Sequence, residues 1–304
     1  MSAGHDHAPQ GTHRTKLAIA FGITVSILVA EVIGAWWTNS LALLVDAGHM
    51  LTDASGLLMA LIAASLAMRP PTPERTWGYR RAEVLAAGAQ AAVLLGVGGY
   101  AFIEGARRLF EPPDVTAGGL LVLGIVGLLG NLVSMLVLNS GRGANLNLRA
   151  AFLEVVNDAL GSVAVIVSAV VIAWTGWTRI DAVAGMLIAA LIVPRAITIL
   201  REAGNILLES TPPGLVLDEV RRHILEVPHV VGVHDLHAST IATGLPVLTA
   251  HVVVEDACFT DGHATQMLAD LQACVADHFD VSVEHSTFQL EPPTHNDSEH
   301  ATHD

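Results

Sequence analysis

Asp46, His49 and Asp53 fall at steps of three and four in "DAGHMLTDASG", inside an apolar run covering residues 41–68. Those steps put all three side chains on one face of a helix. A second apolar run, 150–174, contains "FLEVVNDALGS", where Glu154 and Asp158 stand four apart and share a face in the same way. A charged side chain at a bilayer centre costs at least about 2.5–3.5 kcal/mol on insertion scales. One imidazole and three or four carboxylates are therefore more acid than a dry interior tolerates unneutralised. A divalent cation resolves this, because His nitrogen and carboxylate oxygen are both zinc ligands and four ligands make a tetrahedron. The i,i+4 pair lets one helix present two side chains to one ion. Protons are the other neutralising agent, and metal binding expels them because ligands must be deprotonated. A site that holds either metal or protons is the core of an antiporter. The plainer reading is interhelical hydrogen bonding that glues a bundle; two i,i+4 pairs on separate helices favour the metal. Asp46 is open between lining an exit path and making a helix contact. Glu31 and Asn131 default to hydrogen bonding between helices, and Glu104 is spaced to pair with Arg107 or Arg108.

The elements that must hold these residues are membrane helices. The chain of 304 residues is 52% hydrophobic and 14% charged, with a mean hydropathy of +0.53; soluble domains carry about 25% charge. Six runs reach the ~20 apolar residues a span requires: 17–37, 41–68, 83–110, 117–138, 150–174 and 180–200. Trp36, Trp37, Trp174 and Trp177 mark interfacial ends. "RPPTPERTWGYRR" and "EPPDV" are loops, since proline cannot continue a helix. With the N-terminus in the cytoplasm, twelve Lys and Arg fall inside and only Arg107, Arg108 and Arg179 outside, so both termini are expected to be cytoplasmic. The acidic, polar "MSAGHDHAPQGTH" is no basic leader, and the run from Leu17 reads as a first membrane helix rather than a removed signal.

Of fifteen His, three (His5, His7, His13) lie in the N-terminal tail, eleven follow residue 220, and His49 alone lies between. The net charge of −14 and the lack of a basic stripe argue against nucleic acid as a partner. Cys258 and Cys274 make neither a disulfide framework nor a thiolate zinc site and read as buried or free thiols. After residue 211 the order is helix, strand, strand, helix, strand: "LVLDEVRRHILEV", "HVVGVHDLHAST", "PVLTAHVVVED", "GHATQMLADLQACVADHF" and "VSVEHSTFQLE". That suits a small α+β domain with helices on one face of a sheet. The expected organisation is a His-containing tail (1–14), a six-helix membrane domain (15–210), a cytosolic α+β domain (211–291) and a disordered His-containing tail (292–304). The tails could collect metal weakly or simply aid solubility.

"NSLALLVDAGHMLTDASGL", "RPPTPERTWGYRRAE", "FLEVVNDALGSVAVIVSA" and "VHDLH…TAHVVVED…EHSTFQLE" together resemble the cation diffusion facilitator family, closest to its bacterial zinc/cadmium/cobalt exporter branch, over residues 15–291. The resemblance implies a homodimeric, proton-coupled exporter in the cell's inner or plasma membrane, with six helices and a cytosolic ferredoxin-like domain. It takes divalent metal and protons as substrates and has no cofactor. The transport site it implies is His49, Asp53, Glu154 and Asp158. The zinc branch usually has His where this chain has Glu154, a harder and negatively charged ligand, so manganese, cobalt and iron(II) join zinc and cadmium as candidates. Some members have a further His-rich site after the second helix; Arg75 and Tyr79 stand there instead, and that site is expected to be absent. His234, His251 and His285 match cytosolic metal positions of relatives, with His237, Asp235, His263 and Glu284 as possible extra ligands. Metal there is expected to regulate the dimer. The competing reading is a membrane-anchored metal sensor without transport. There is no P-loop and no G-x-S-x-G elbow to suggest an enzyme.

Overall fold

The computed structural model describes residues 10–139, 146–260 and 262–295. Six long helices come first: α1 (Gln10–Thr38), α2 (Leu41–Ala67), α3 (Ala82–Phe110), α4 (Ala117–Asn139), α5 (Leu146–Thr175) and α6 (Arg179–Leu207). Among the described residues, five of them (α1 and α3–α6) are long and apolar enough to cross a membrane, and α2 has 27 residues. At 1.5 Å per residue, 27 residues span about 40 Å, enough for a bilayer with its interfaces.

These helices are inside out relative to a soluble protein. Ile33, Val122, Leu129 and Leu136 face outward, whereas Glu31, Asp46, His49, Asn131, Asp158 and Ser162 are buried. Lipid accepts the apolar faces, and the polar groups must find partners within the bundle. Trp36 and Trp174 are 90% and 87% exposed at helix ends, as interfacial anchors are. The membrane-spanning helical domain thus follows the hydropathy. Three ends differ from it. α1 begins at Gln10, α5 begins at Leu146 and α6 continues to Leu207, because polar residues such as Arg201 and Glu202 still favour helix beyond the apolar run.

By contacts the chain divides into two compact units: residues up to Met59 with Ala89–Leu200, and Ala60–Gly88 with Arg201–Asp304. The first holds most of the six helices. Their core joins Leu41, Leu43 and Val45 of α2 to Val165 and Ala169 of α5 and to Ile188, Ala189 and Ala196 of α6. The start of α2 is fixed by polar groups. Ser40 Oγ accepts from Leu43 N at 3.1 Å, in the manner of an N-cap. Asp181 of α6 accepts from Ser40 Oγ and from Leu41 N at 2.5 Å each, which places a carboxylate at the positive end of α2. Asn39, in the left-handed region at φ 56, gives its carbonyl to Arg108 Nη1 at 2.7 Å. Arg108 also meets Glu104 at 2.9 Å, and Arg107 reaches the same carboxylate at 3.5 Å.

The second unit contains the C-terminal domain: α7 (Leu217–Leu225), β1 (Val230–Ala242), β2 (Leu245–Val254), a 3₁₀ turn (Asp256–Phe259), α8 (His263–Asp277) and β3 (His285–Glu291). The sheet order is β1-β2-β3, with β1/β2 antiparallel and β2/β3 parallel. Val220 and Ile224 of α7 and Leu271 and Val275 of α8 join Leu248, Ala250, Val252 and Phe288 of the sheet in one core. This is the expected helix-strand-strand-helix-strand order. In the same unit, the loop after α2 supports the domain: Arg81 pairs with Glu209 at 2.8 Å, and the Trp77 ring meets His285 edge-on at 4.9 Å. Arg75 lies over the Tyr79 ring at 5.0 Å.

Candidate metal sites

The intramembrane site is set by two helices. His49 and Asp53 lie eight and twelve residues into α2, roughly 12 and 18 Å along its axis, so both fall in the middle part of the helix. His49 Nε2 stands 3.4 Å from Asp53 Oδ2 and 3.9 Å from Asp158 Oδ1 of α5. Ligand atoms of these three residues all lie within 4.8 Å of one another. Zinc bonds of ~2.0–2.2 Å in a tetrahedron put neighbouring ligands about 3.4 Å apart, so the three atoms span the space one ion needs. The side chains of His49, Asp53 and Asp158 are only 7%, 15% and 4% exposed. Asp53 Oδ2 and Asp158 Oδ1, the two oxygens turned to the imidazole, have no hydrogen-bond partner. Buried carboxylate oxygens without partners are costly; a cation between them removes that cost.

Glu154 lies beside this group, in hydrogen-bonding contact with the Asp53 side chain, but is not one of the three residues whose ligand atoms all lie within 4.8 Å of one another. It faces Arg195 of α6, whose Nη1 is 3.0 Å from Glu154 Oε1. Counting Lys and Arg treats Arg195 as one more inside charge. Its pairing across α5 and α6 is visible only once the helices are packed.

Close to the triad lies a second buried polar group. A Cβ at Gly161 would run into the Asp46 carboxylate, so glycine is what lets α2 and α5 approach here. Asn131 Nδ2 donates to Ser162 Oγ at 3.4 Å, and a Cβ at Gly127 would meet both Ser162 Oγ (3.0 Å) and Glu31 Oε1 (3.1 Å). The Asn131–Ser162 bond joins α4 to α5, and Glu31 Oε2 and Asp46 Oδ2 are buried beside it without a hydrogen-bond partner.

In the C-terminal domain His234 and His251 are opposite one another in the β1/β2 register, with ring centroids 5.0 Å apart. Their third partner is Glu291. Its Oε1 is 2.5 Å from His234 Nε2 and its Oε2 is 3.5 Å from His251 Nδ1. Ligand atoms of His234, His251 and Glu291 lie within 4.8 Å of one another. His251 alternates with the core residues Ala250 and Val252, so the cluster sits on the sheet face away from the helices. The β1 register shifts between His234 and His237, and Asp235 has φ 46. A bulge re-aims side chains, and here it sets Asp235 Oδ2 3.0 Å from His234 Nδ1, the contact that orients a metal-binding imidazole. Gln289 Nε2 donates to Glu291 Oε2 at 3.1 Å.

His285 is not part of this group. It starts β3, six residues before Glu291, about 20 Å away along a strand, and lies against Trp77. Of the other candidates, His237 Nε2 is 3.9 Å from Asp235 Oδ1, and His263 tilts against His229 at 5.7 Å. Glu284 just precedes β3. Cys258 and Cys274 are buried thiols; burial, with Glu226 nearby, pushes the Cys274 pKa up, so it remains a neutral thiol and a poor metal ligand. His5, His7, His300 and His303 lie outside the described residues.

Comparison with known proteins agrees with this architecture along the chain. A family model described as the cation efflux transmembrane domain matches residues 17–208, and one described as the cation efflux protein cytoplasmic domain matches 212–293. The chain is 42% identical over 291 residues to the metal cation efflux system protein CzcD of Cupriavidus metallidurans, covering 96% of this chain and 90% of that one. It is 38% identical over 287 residues to the zinc transporter ZitB of Escherichia coli, covering 94% and 90%. It is 36% identical over 295 residues to the cadmium, cobalt and zinc/H(+)-K(+) antiporter of Bacillus subtilis, covering 96% and 93%.

Proposed function

The chain belongs to the cation efflux family, and from that premise we propose that it is a homodimeric, proton-coupled exporter of divalent metal cations with zinc as its first substrate. Relatives named for zinc, cadmium and cobalt support the substrate class. The observation that carries the reading to particular residues is the buried triad His49, Asp53 and Asp158, with two partnerless carboxylate oxygens facing one imidazole nitrogen. A hydrated ion entering the bundle exchanges water for these ligands. Glu154 is the third carboxylate and fourth side chain of the proposed site and stands at its edge. Ligands bind metal only when deprotonated, so metal loading on the cytoplasmic side releases protons, and protons arriving from outside displace the metal.

All six long helices cross the inner or plasma membrane, with both termini in the cytoplasm, the arrangement that keeps twelve of the fifteen Lys and Arg inside. His234, His251 and Glu291 form a second, cytosolic metal site that senses the ion and tightens the dimer of C-terminal domains. His285, expected from the resemblance as a ligand there, is not part of the proposed set.

The test is a zinc titration of the purified full-length protein in lipid nanodiscs. Asp158→Ala is expected to remove one bound zinc per chain and His234→Ala another, independently. If Asp158→Ala leaves the number of bound zinc ions unchanged, the intramembrane site is wrong.

A further inference from the structure

Oxygen-bearing side chains from four helices meet beside the triad: Glu31 of α1, Asp46 of α2, Asn131 of α4 and Ser162 of α5, each no more than 2% exposed. Two glycines make the room. A Cβ at Gly127 would stand 3.0 Å from Ser162 Oγ and 3.1 Å from Glu31 Oε1, and one at Gly161 would collide with the Asp46 carboxylate. Asn131 Nδ2 donates to Ser162 Oγ at 3.4 Å. That bond leaves Asn131 Oδ1, Glu31 Oε2 and Asp46 Oδ2 buried without a hydrogen-bond partner, and unpaired buried acceptors are costly. Neighbouring charge adds to the cost, because Asp46 and Asp158 act on Glu31, and Asp158 acts on Asp46.

The cluster stands in line with the triad. His49 faces Asp158; three residues earlier on α2, Asp46 faces Gly161, three residues later on α5. The two helices therefore run antiparallel here. The cluster lies about one turn, roughly 5 Å, from the triad, toward the end of α2 that Ser40 and Asp181 fix.

We propose that Glu31, Asp46, Asn131 and Ser162 form a second cation site, a station that a divalent ion occupies between the triad and the Ser40 end of the bundle. The role as a station rests on reading His49, Asp53 and Asp158 as the transport site. Every donor here is an oxygen, the set that suits manganese and magnesium. With no imidazole, it holds zinc less firmly than the triad does. Charge agrees, since one divalent ion balances Glu31 and Asp46. Two divalent ions one turn apart repel strongly where the dielectric is low, so occupancy alternates between the two sites. An ion leaving the triad thus finds oxygen ligands within a turn instead of hydrocarbon.

Manganese is the probe, read by electron paramagnetic resonance on the full chain in nanodiscs. His234→Ala removes the site proposed on the C-terminal sheet, and Asp53→Ala disables the triad. With both in place, one manganese per chain is expected to remain. Adding Asp46→Asn or Glu31→Gln is expected to weaken it by at least about tenfold, no less than the loss of a ligand's support. Ser162→Ala serves if the carboxylate variants do not fold, and is expected to weaken manganese about threefold, the scale of one neutral oxygen contact. Each change is also made alone in the wild-type chain, where zinc bound at the triad shows that the helices still pack. The proposal is overturned if the doubly substituted chain binds no manganese, as a cluster filled by water alone would behave. It is equally overturned if the bound manganese is indifferent to Asp46, Glu31 and Ser162. If Asp53→Ala leaves every bound zinc in place, the fault lies in the reading of the triad, and the dependence of manganese on Asp46 and Glu31 still decides the second site.

Discussion

His49 and Asp158 meet from different helices, and neither has a reason to be in lipid alone. Asp53 and Asp158 stand 3.4 and 3.9 Å from the His49 imidazole, an arrangement that, in the proposed reading, turns three liabilities into one coordination site. Asp53→Asn keeps the shape and removes a charge; it is expected to lower zinc affinity by at least tenfold with little change in melting temperature, checked by titration beside a thermal scan. The proposed site on the C-terminal sheet gives a sharper contrast. Glu291→Gln is expected to weaken cytosolic zinc about tenfold, while His285→Ala stays within roughly threefold, both read in an Asp158→Ala background where the membrane site is silent. Spacing brought out His49, Asp53, Glu154 and Asp158 as one candidate set, and the structure gathers His49, Asp53 and Asp158 of it most closely. Glu291 was not legible, because a search for His passes over a glutamate, and because the parallel β2/β3 register that sets Gln289 beside His251 is made between segments far apart in sequence. Arg195 was legible only as a charge near a helix end; its partner Glu154 sits 41 residues away on another helix.

At the scale of elements, the triad depends on where α2 starts. Asp181 and Ser40 fix that start, and Arg108 clasps the preceding turn through Asn39 and Glu104. Asp181→Ala removes two acceptors from buried donors. It is expected to cost on the order of 2 kcal/mol, seen as a lower melting temperature in detergent with zinc stoichiometry unchanged. Close packing of α5 matters likewise. Gly161→Ala drives a methyl into the Asp46 carboxylate, and overpacking of this kind costs about 1–3 kcal/mol; the same scan reads it. The helices themselves were plain from hydropathy, to within a residue at both ends of α2, α3 and α4. The extra turns of α1, α5 and α6 were not, since hydropathy marks where lipid ends and a helix can run on into water. The pairing of Glu104 with Arg108 was read from local spacing, whereas the role of Asp181 was hidden because its partners lie about 140 residues away.

For the whole molecule, the division of labour follows from solvent. The helical unit turns apolar faces outward and holds acid inside, while the C-terminal unit builds an ordinary core beneath a sheet whose other face carries His234, His251 and Glu291. On the proposed reading, one metal site among the membrane helices and another in the C-terminal domain would let transport couple to cytosolic metal. The central claim is that metal and protons exchange at the triad. The most direct test is flux in proteoliposomes with an imposed pH gradient and an interior pH dye, wild type beside Asp158→Ala, with zinc, cobalt, manganese and iron(II) tried separately. Zinc moving one way and protons the other, both lost in the variant, is the expected result. Stoichiometric zinc binding without flux of any metal would contradict the account and leave a sensor in place of a carrier.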